Sequence, residues 1–365
     1  MLEQILSLPI EKKIGQLFFI GLSGAEINSS SRLLLEEISP GGICLFGRNI
    51  KSREQVLNFL NEIRKHLPVE PFLSIDQEGG VVDRLRRILT PMPAANTVKN
   101  SSDAIRLAEI TAEVLRILGF NMNFAPVVDV IDAAREKFSN GLYSRGFGKS
   151  EIETKDIAGA YLGKLQEGGC LGCVKHFPGL GGSEVDSHEE LPVVQISENE
   201  FFQKDLSPYI DLIKQEEVFA VMIAHAVYPK LDLQEFDSSG KLLPSSLSRN
   251  FVTKLLREEL KFSGVTVTDD LEMGAIVKNY GIGEACKMAI LAGEDMLAIC
   301  ADAEAVRKGF YAVLEAVRNR EIAETRIDES LHRIANLKSL IQKPLPFNQE
   351  RLEFLSNEIL ELSKK

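Results

Sequence analysis

Eight short apolar segments, rich in β-branched residues, recur along this sequence and are separated in most places by segments with helical apolar spacing. The apolar segments are residues 14–22, 42–46, 72–75, 122–130, 171–174, 219–226, 265–268 and 296–300. The helical segments include residues 53–67, 103–118, 151–166, 198–215, 249–260 and 283–291, with Ser102 and Ser248 as predicted N-caps of two of them. Strands that alternate with helices favour parallel pairing, and eight repeats favour closure. The sequence therefore predicts an α/β fold, a (β/α)8 barrel of the TIM type.

The alternative is a doubly wound open sheet. No Gly-x-Gly-x-x-Gly follows the first strand, which weakens a dinucleotide-binding version of that fold.

The C-terminal part of the chain departs from the alternation. Two helical segments, residues 304–318 and 325–341, follow the last strand, and Lys343-Pro344-Leu345-Pro346 then breaks the pattern. Residues 349–364 have a weaker helical period. We expect one barrel domain over residues 1–342 and a helical tail over 343–365 that packs on the barrel exterior or on a partner.

Charge and composition exclude several classes of protein. The formal net charge is −11, which argues against a broad nucleic-acid-binding face. Five cysteines do not form a disulfide framework, and Cys170 and Cys173 lack a second pair for a zinc site, so we expect core residues there. No basic leader and no apolar run of membrane-spanning length is present. We expect a cytoplasmic protein with no membrane partner; monomer and homodimer both stay open.

Polar residues follow the predicted strands at their carboxyl ends. They are Asp76, Gln77 and Glu78 with nearby Arg84 after the third strand, Asp129 and then Arg145 at the fourth, Lys175, His176, Asp186 and His188 at the fifth, His225 at the sixth, and Asp269 and Asp270 at the seventh. In a parallel barrel these ends meet at one face, where catalytic residues gather. Five strand ends of the same polarity favour an active site over isolated structural polar groups, although His225 is equally well explained by hydrogen bonding within the barrel mouth.

Glycoside hydrolysis suits these groups better than two rival chemistries. Metal-dependent barrels need a His-x-His pair at the first strand, and residues 14–22 contain no histidine, so we expect no metal. A Gly-x-Ser-x-Gly elbow for a serine nucleophile is also missing from the sequence. A retaining glycosidase needs a carboxylate nucleophile, for which Asp269 or Asp270 qualifies, and a proton donor, for which His188 paired with Asp186 qualifies. Strand parity does not choose between the two aspartates.

The motifs resemble those of the single-domain bacterial β-N-acetylglucosaminidases of glycoside hydrolase family 3, the NagZ type. They run in family order: Ile75-Asp76-Gln77-Glu78-Gly79-Gly80, Asn123-Phe124-Ala125-Pro126-Val127-Val128-Asp129, Lys175-His176-Phe177-Pro178-Gly179, Asp186-Ser187-His188, Ile223-Ala224-His225, Pro244-Ser245-Ser246-Leu247-Ser248 and Thr268-Asp269-Asp270-Leu271-Glu272-Met273. The resemblance covers roughly residues 10 to 340.

The resemblance implies a (β/α)8 barrel and a retaining mechanism through a covalent glycosyl-enzyme. It implies Asp269 as nucleophile, and His188 as acid/base with Asp186 as its partner. It also implies a terminal-sugar site made of Asp76, Arg84, Arg145, Lys175 and His176. The implied substrate is a terminal β-N-acetylglucosamine, typically on muropeptide fragments during cell-wall recycling. No metal or organic cofactor is implied.

Two departures from the family pattern concern the aglycone. Val81 and Val82 follow Gly80 where the family usually has arginine, and Leu180 stands where many members have histidine. Three alternatives stay open: a family 3 β-glucosidase, a β-N-acetylglucosaminide phosphorylase, and a sugar-binding barrel without catalysis. The loop of residues 178–190 contains three glycines, and we expect it to move and close on the substrate.

Overall fold

The structure, a computed structural model, describes residues 1–138 and 140–364. Within these residues nine strands form one parallel sheet, and two short strands form an antiparallel hairpin after the third strand. In chain order the strands are β1 (Phe18–Gly21), β2 (Gly42–Leu45), β3 (Phe72–Ile75), β4 (Gln77–Gly79), β5 (Val82–Asp83), β6 (Met122–Asn123), β7 (Leu171–Gly172), β8 (Val174–Phe177), β9 (Ala220–Ile223), β10 (Val265–Asp270) and β11 (Met296–Ile299).

The sheet closes into a barrel. Its neighbours run β7-β6-β3-β2-β1-β11-β10-β9-β8, and Cys173 alone separates β7 from β8 along the chain. The two ends of this order, β7 and β8, are therefore parts of one chain segment. Counted as one strand, they give a closed barrel of eight strands. The predicted (β/α)8 barrel is confirmed.

Helices surround the barrel on its outer side. In chain order they are α1 (Leu2–Leu6), α2 (Ile10–Gly15), α3 (Ser29–Ile38), α4 (Arg53–Lys65), α5 (Ser101–Leu118), α6 (Glu151–Glu167), α7 (Glu198–Glu200), α8 (Ser207–Lys214), α9 (Gly274–Val277), α10 (Ile282–Ala292), α11 (Ala303–Arg318), α12 (Glu324–Lys338) and α13 (Gln349–Leu362). Two π-helical segments, Phe201–Asp205 and Asn250–Glu259, interrupt or replace the regular helices.

Three predicted segments differ from the structure. Residues 14 and 15 end helix α2, so the first strand begins only at Phe18. The predicted strand 122–130 pairs regularly over two residues, and Val127 beyond them makes a single parallel bridge with Lys175. The predicted helix 198–215 divides into α7, a π turn and α8, with Pro208 at the start of α8. The N-cap of α5 is Asn100 rather than Ser102, and it accepts a hydrogen bond from the Asp103 amide at 3.0 Å.

Aromatic side chains fill one part of the barrel interior. Phe19 stacks on Phe72 with ring centroids 5.8 Å apart and meets Phe124 edge-on at 5.1 Å. Gly42 makes room for this cluster, because a Cβ atom there would lie 2.1 Å from the Phe19 ring. The interior is thus a packed core, and ligands can approach only from its ends.

Helix α13 packs on α5 through an apolar face and ion pairs. Leu352, Leu355 and Ile359 are buried, and Arg351 donates to both carboxylate oxygens of Glu113 at 2.6 and 2.7 Å. The division into a barrel over residues 1–342 and a tail over 343–365 stays a prediction. Among the helices of the described residues, none has the length and apolar character needed to cross a bilayer.

Candidate active site

A cavity of about 150 Å³ opens at the carboxyl ends of the barrel strands. All eight residues predicted to act in catalysis or sugar binding line it: Asp76, Arg84, Arg145, Lys175, His176, Asp186, His188 and Asp269. Its other lining residues include Glu78, Asp270 and the apolar side chains of Phe46, Phe124, Leu180, Met222 and Met273. Residues of β8 and β10 and of the segments that follow β3, β5, β6 and β8 therefore converge at this face, as the strand polarity predicts.

Four charged side chains on one side of the cavity form a buried network, called here the buried cluster: Asp76, Glu78, Arg145 and Lys175. The Lys175 ammonium lies 2.7 Å from an Asp76 oxygen and 2.6 Å from a Glu78 oxygen. Arg145 donates to both Glu78 oxygens at 2.8 and 3.0 Å, a bidentate geometry that fixes the plane of the guanidinium. The Lys175 and Glu78 side chains are 2% and 3% exposed, so these groups are held apart from bulk water.

Electrostatics keep Glu78 ionised despite its burial. Burial alone raises its pKa, but the charges of Arg145 and Lys175 outweigh this effect and hold the pKa well below its usual range. Glu78 belongs to hairpin strand β4, beside Asp76 at the end of β3. The hairpin thus supplies the counter-charge that two cavity cations need.

The same hairpin positions Arg84. The Gln77 amide donates to Asp83 at 2.8 Å, and its oxygen accepts a hydrogen bond from the Arg84 backbone at 3.0 Å. The Arg84 guanidinium lies 3.9 Å from an Asp76 oxygen and 5.7 Å from the centre of the Phe46 ring. Arg84 therefore reaches the cavity from a turn that these hydrogen bonds hold in place. It supplies a guanidinium close to positions 81 and 82, where this chain has valines and the family usually has arginine.

A buried carboxylate orients His176. The Nδ1 atom of His176 lies 2.7 Å from Oδ2 of Asp129, and the other oxygen of this carboxylate accepts a hydrogen bond from the Leu180 amide at 2.6 Å. The Nε2 atom lies 3.4 Å from an Arg145 nitrogen. Because arginine can only donate, this contact favours a proton on Nδ1 and an acceptor at Nε2.

The two consecutive aspartates at the end of β10 differ in charge state. Burial alone raises the pKa of Asp269, but His176, His225 and Lys175, with a backbone hydrogen bond, bring it below the usual value. Burial raises the pKa of Asp270 to about 7. Both line the cavity, where the register of β10 against β11 shifts. At neutral pH Asp269 is thus ionised, whereas Asp270 is only partly ionised.

His225 makes hydrogen bonds at the end of β10. Its Nδ1 atom lies 2.7 Å from the Ser246 hydroxyl, and its Nε2 atom lies 3.2 Å from the backbone oxygen of Asp270. Burial lowers the pKa of His225, so the neutral ring donates from Nε2 to that oxygen. These contacts match hydrogen bonding within the barrel mouth.

The Asp186–His188 pair lines the same cavity and is its solvent-exposed, outer part. An oxygen of Asp186 lies 2.7 Å from Nδ1 of His188 and accepts a hydrogen bond from the His188 amide at 2.9 Å. The two side chains are 37% and 69% exposed. The backbone oxygen of His188 accepts a hydrogen bond from Gly274 at 3.1 Å, which ties the loop to the segment after β10.

Comparisons with known proteins assign the barrel to a family. The model of the glycosyl hydrolase family 3 N-terminal domain matches residues 9–337. This chain belongs to glycoside hydrolase family 3. The beta-hexosaminidase of Psychromonas ingrahamii is 32% identical over 350 residues, which are 93% of this chain and 96% of that protein. The beta-hexosaminidase of Pseudomonas aeruginosa strain LESB58 is 34% identical over 78% of this chain and 82% of that protein.

Solved structures of family 3 proteins share the fold. The β-N-acetylglucosaminidase of Paenibacillus sp. FPU-7 is 32% identical, with a TM-score of 0.88 over 98% of this chain and 69% of that one. A family 3 glycosyl hydrolase from Mycobacterium smegmatis is 30% identical, with a TM-score of 0.80 over 91% of this chain and 98% of that one. The chain is a glycoside hydrolase.

The family 3 site contains residues to which sequence reasoning gave no role. Glu78 and Asp129 were visible as polar residues at strand ends, but their partners, Arg145 and Lys175 for the first and His176 for the second, lie at least 47 positions away in the chain. Within the ranges 1–138 and 140–364, no group of three or more His, Cys, Asp or Glu side chains is arranged to hold a metal ion.

Proposed function

We propose that this family 3 hydrolase is a retaining exo-β-N-acetylglucosaminidase. The observation that carries the proposal is that one cavity contains the ionised Asp269 on β10 and, on its outer side, His188 hydrogen-bonded to Asp186. A retaining glycosidase needs a nucleophilic carboxylate and a separate group that transfers protons.

In the first step the Asp269 carboxylate attacks the anomeric carbon, and the bond from that carbon to the leaving-group oxygen breaks. The His188 imidazolium gives its Nε2 proton to this oxygen, so the aglycone leaves as a neutral alcohol. Asp186 holds the proton on Nδ1, which reserves Nε2 for the transfer.

In the second step a water molecule attacks the anomeric carbon of the glycosyl-Asp269 ester. His188, now neutral, takes a proton from this water, and the carbon–oxygen bond to Asp269 breaks. Two displacements at one carbon retain the β configuration. The enzyme returns to an ionised Asp269 and a protonated His188.

The buried cluster suits the recognition of sugar hydroxyl and acetamido groups. Asp76 can accept hydrogen bonds from ring hydroxyls, and Lys175, Arg145 and Arg84 can donate to oxygens; we propose His176 as a further contact to the terminal sugar. A volume of about 150 Å³ is below the range typical of drug-sized ligands, and it favours one terminal sugar over an internal segment of a polymer. This supports exo action.

The names of the relatives support N-acetylhexosamine over glucose as the sugar, since proteins 32% and 34% identical to this chain are called beta-hexosaminidase. We further propose N-acetylglucosamine-containing cell-wall fragments as natural substrates and the cytoplasm as the site of action. Cell fractionation followed by activity measurement tests the location.

The deciding experiment compares hydrolysis of an aryl β-N-acetylglucosaminide with that of the matching β-glucoside, with and without phosphate, and follows the product anomer by NMR. We expect the N-acetylglucosaminide to be cleaved faster, with β-N-acetylglucosamine formed first in both buffers. Faster glucoside cleavage would indicate a β-glucosidase, a phosphate-dependent sugar phosphate would indicate a phosphorylase, and an α product would contradict retention. Binding without turnover would indicate a sugar-binding barrel.

A further inference from the structure

A buried ion pair lies beneath the loop that carries Asp186 and His188. Arg135, in the segment after β6, donates to both oxygens of Asp205, which lies between α7 and α8, at 2.6 and 2.9 Å. The two side chains are 6% and 1% exposed. Arg135 also donates to the backbone oxygen of Val130 at 3.0 Å, so the pair ties two crossover segments together on the side of the barrel next to the loop.

The first part of the loop, residues 179–183, lies directly on this pair and is called here the loop root. A Cβ atom added to Gly179 would lie 2.6 Å from the Asp205 Cβ atom. At Gly181 it would lie 2.4 Å from the Val130 oxygen and 3.2 Å from the Arg135 guanidinium. These glycines therefore permit close packing, and they leave no space for a side chain between the loop root and the pair. The hinge role predicted for them stays a prediction.

Hydrogen bonds fix the loop root at further points. The Gly179 oxygen accepts from the Tyr228 hydroxyl at 3.0 Å, and the Ser183 oxygen accepts from the Asn140 amide at 2.7 Å. The following residues, 184–190, are called here the loop tip. Most of them are exposed, and they include the Asp186–His188 pair.

We propose that the Arg135–Asp205 ion pair is a positioning device for the general acid/base, because it fixes the loop root and thereby the place from which the loop tip presents His188 to the leaving group. This inference rests on the role proposed above for His188. The tip is also held from the other side, because Gly274 and Ala275 donate to the His188 and Ser187 backbone oxygens at 3.1 and 3.3 Å. The location of the imidazole therefore depends on both attachments, and the root is the one that the ion pair fixes. A misplacement of about 1 Å in a reacting group can cost about 100-fold in rate.

The inference predicts a dependence on the leaving group that a purely structural pair would not produce. Substrates with acidic leaving groups need little protonation, whereas poor leaving groups depend on a well-placed acid. We expect Arg135→Met and Asp205→Asn to lower kcat/KM about 10- to 100-fold for poor leaving groups and less than about 3-fold for good ones. Arg135→Lys, which keeps the charge, is expected to recover part of the loss.

The chain offers a matched control at the other end of the barrel. Arg257 donates to Asp295 at 2.6 Å, and Asp295 is fully buried just before β11, at the amino ends of the strands. Arg257→Met breaks a comparable buried pair far from the cavity. We expect any loss of activity in this variant to be equal for all leaving groups.

The test measures kcat/KM for a series of aryl β-N-acetylglucosaminides of increasing leaving-group pKa. The proteins compared are the wild type, His188→Ala, Arg135→Met, Asp205→Asn, Arg135→Lys and Arg257→Met. A steeper dependence on leaving-group pKa for Arg135→Met than for Arg257→Met supports the inference. If kcat/KM depended equally on leaving-group pKa in these two variants, the inference would be overturned. A flat dependence for His188→Ala would instead refute the proposed role of His188, so the two failures are distinguishable.

A milder variant keeps the test decisive if Arg135→Met and Asp205→Asn do not fold. A Cβ atom at Gly182 would lie 3.1 Å from Val194 and 3.4 Å from the Arg135 guanidinium, so Gly182→Ala displaces the root only slightly. A leaving-group-dependent loss in Gly182→Ala supports the inference, and an unchanged slope contradicts it.

Discussion

The two sides of the cavity differ in how their charged groups are held. On the nucleophile side, Lys175, Glu78 and Asp129 are 2%, 3% and 0% exposed, and each has charged or backbone partners. On the acid/base side, Asp186 and His188 are 37% and 69% exposed and rely on each other and on the loop backbone. An exposed ion pair contributes little stability, so the second side cannot hold its geometry by that pair alone.

This difference separates two tasks of the proposed mechanism. Groups fixed before the substrate arrives can stabilise charge without rearrangement, which suits the nucleophile and the sugar-binding cations. A proton donor on an exposed loop tip can admit varied aglycones and exchange protons with water. The movement predicted for the loop of residues 178–190 stays a prediction, and temperature factors of sugar-bound and free crystals would test it.

The largest expected effect comes from the nucleophile. Asp269→Ala removes the carboxylate that forms the covalent intermediate, so we expect kcat to fall on the order of 10³-fold or more for all substrates. Steady-state kinetics on good and poor leaving groups measure this loss. Asp269→Asn, which keeps the size of the side chain, is the control for packing, and substantial activity in that variant would refute the assignment.

A smaller and selective loss is expected on the acid/base side. His188→Ala should lower kcat/KM by about 10²- to 10⁴-fold for poor leaving groups and far less for good ones, because only the former need protonation. His332→Ala, an exposed histidine on α12, should leave both unchanged. Equal losses on both substrate types in His188→Ala would contradict a role in proton transfer.

The buried cluster should show its contribution in stability as well as in sugar binding. Glu78→Gln leaves Arg145 and Lys175 short of counter-charge, and we expect a loss of about 3–5 kcal/mol in the free energy of unfolding together with a higher KM. The folded pKa of Glu78 lies below its unfolded value, so its stabilisation is present above the unfolded pKa and is lost as the pH falls through the folded pKa. Denaturant titrations should show a constant difference between the variant and the wild type from pH 7 down to the unfolded pKa, about 4.3, and a difference that begins to shrink below it.

An exposed pair serves as the control for this measurement. Glu136 is 43% exposed and lies 2.7 Å from Lys149, so Glu136→Gln should change the free energy of unfolding by about 1 kcal/mol or less at any pH. If Glu136→Gln and Glu78→Gln lost similar amounts of unfolding free energy, burial would not make the ion pairs of the buried cluster stronger than an exposed pair.

The smallest expected effect concerns the stability contribution of the acid/base pair. Asp186→Asn should change the free energy of unfolding by about 1 kcal/mol or less, although kcat/KM for poor leaving groups falls. Thermal unfolding and kinetics on the same preparation test this separation. A stability loss as large as that of Glu78→Gln would mean that the two sides of the cavity are held alike.

Much of this site follows from local sequence pattern. The strand at residues 72–75 and the polar residues at strand ends, among them Asp76, Lys175, His176 and Asp269, are predictable because apolar period and strand polarity are local properties. Parallel pairing then places those ends at one face of the barrel. The spacing of residues such as Arg84 and Arg145 assigns them no role, and the sugar-binding role predicted for them came from the resemblance to family 3.

Tertiary structure decided what depends on burial and on distant partners. Asp269 and Asp270 are equivalent in pattern, and their pKa values separate because their surroundings differ in burial and neighbouring charge. Glu78 joins Arg145, and Arg135 joins Asp205, across 67 and 70 positions of the chain. Desolvation and such long-range pairing arise only when the barrel closes, so no local pattern encodes them.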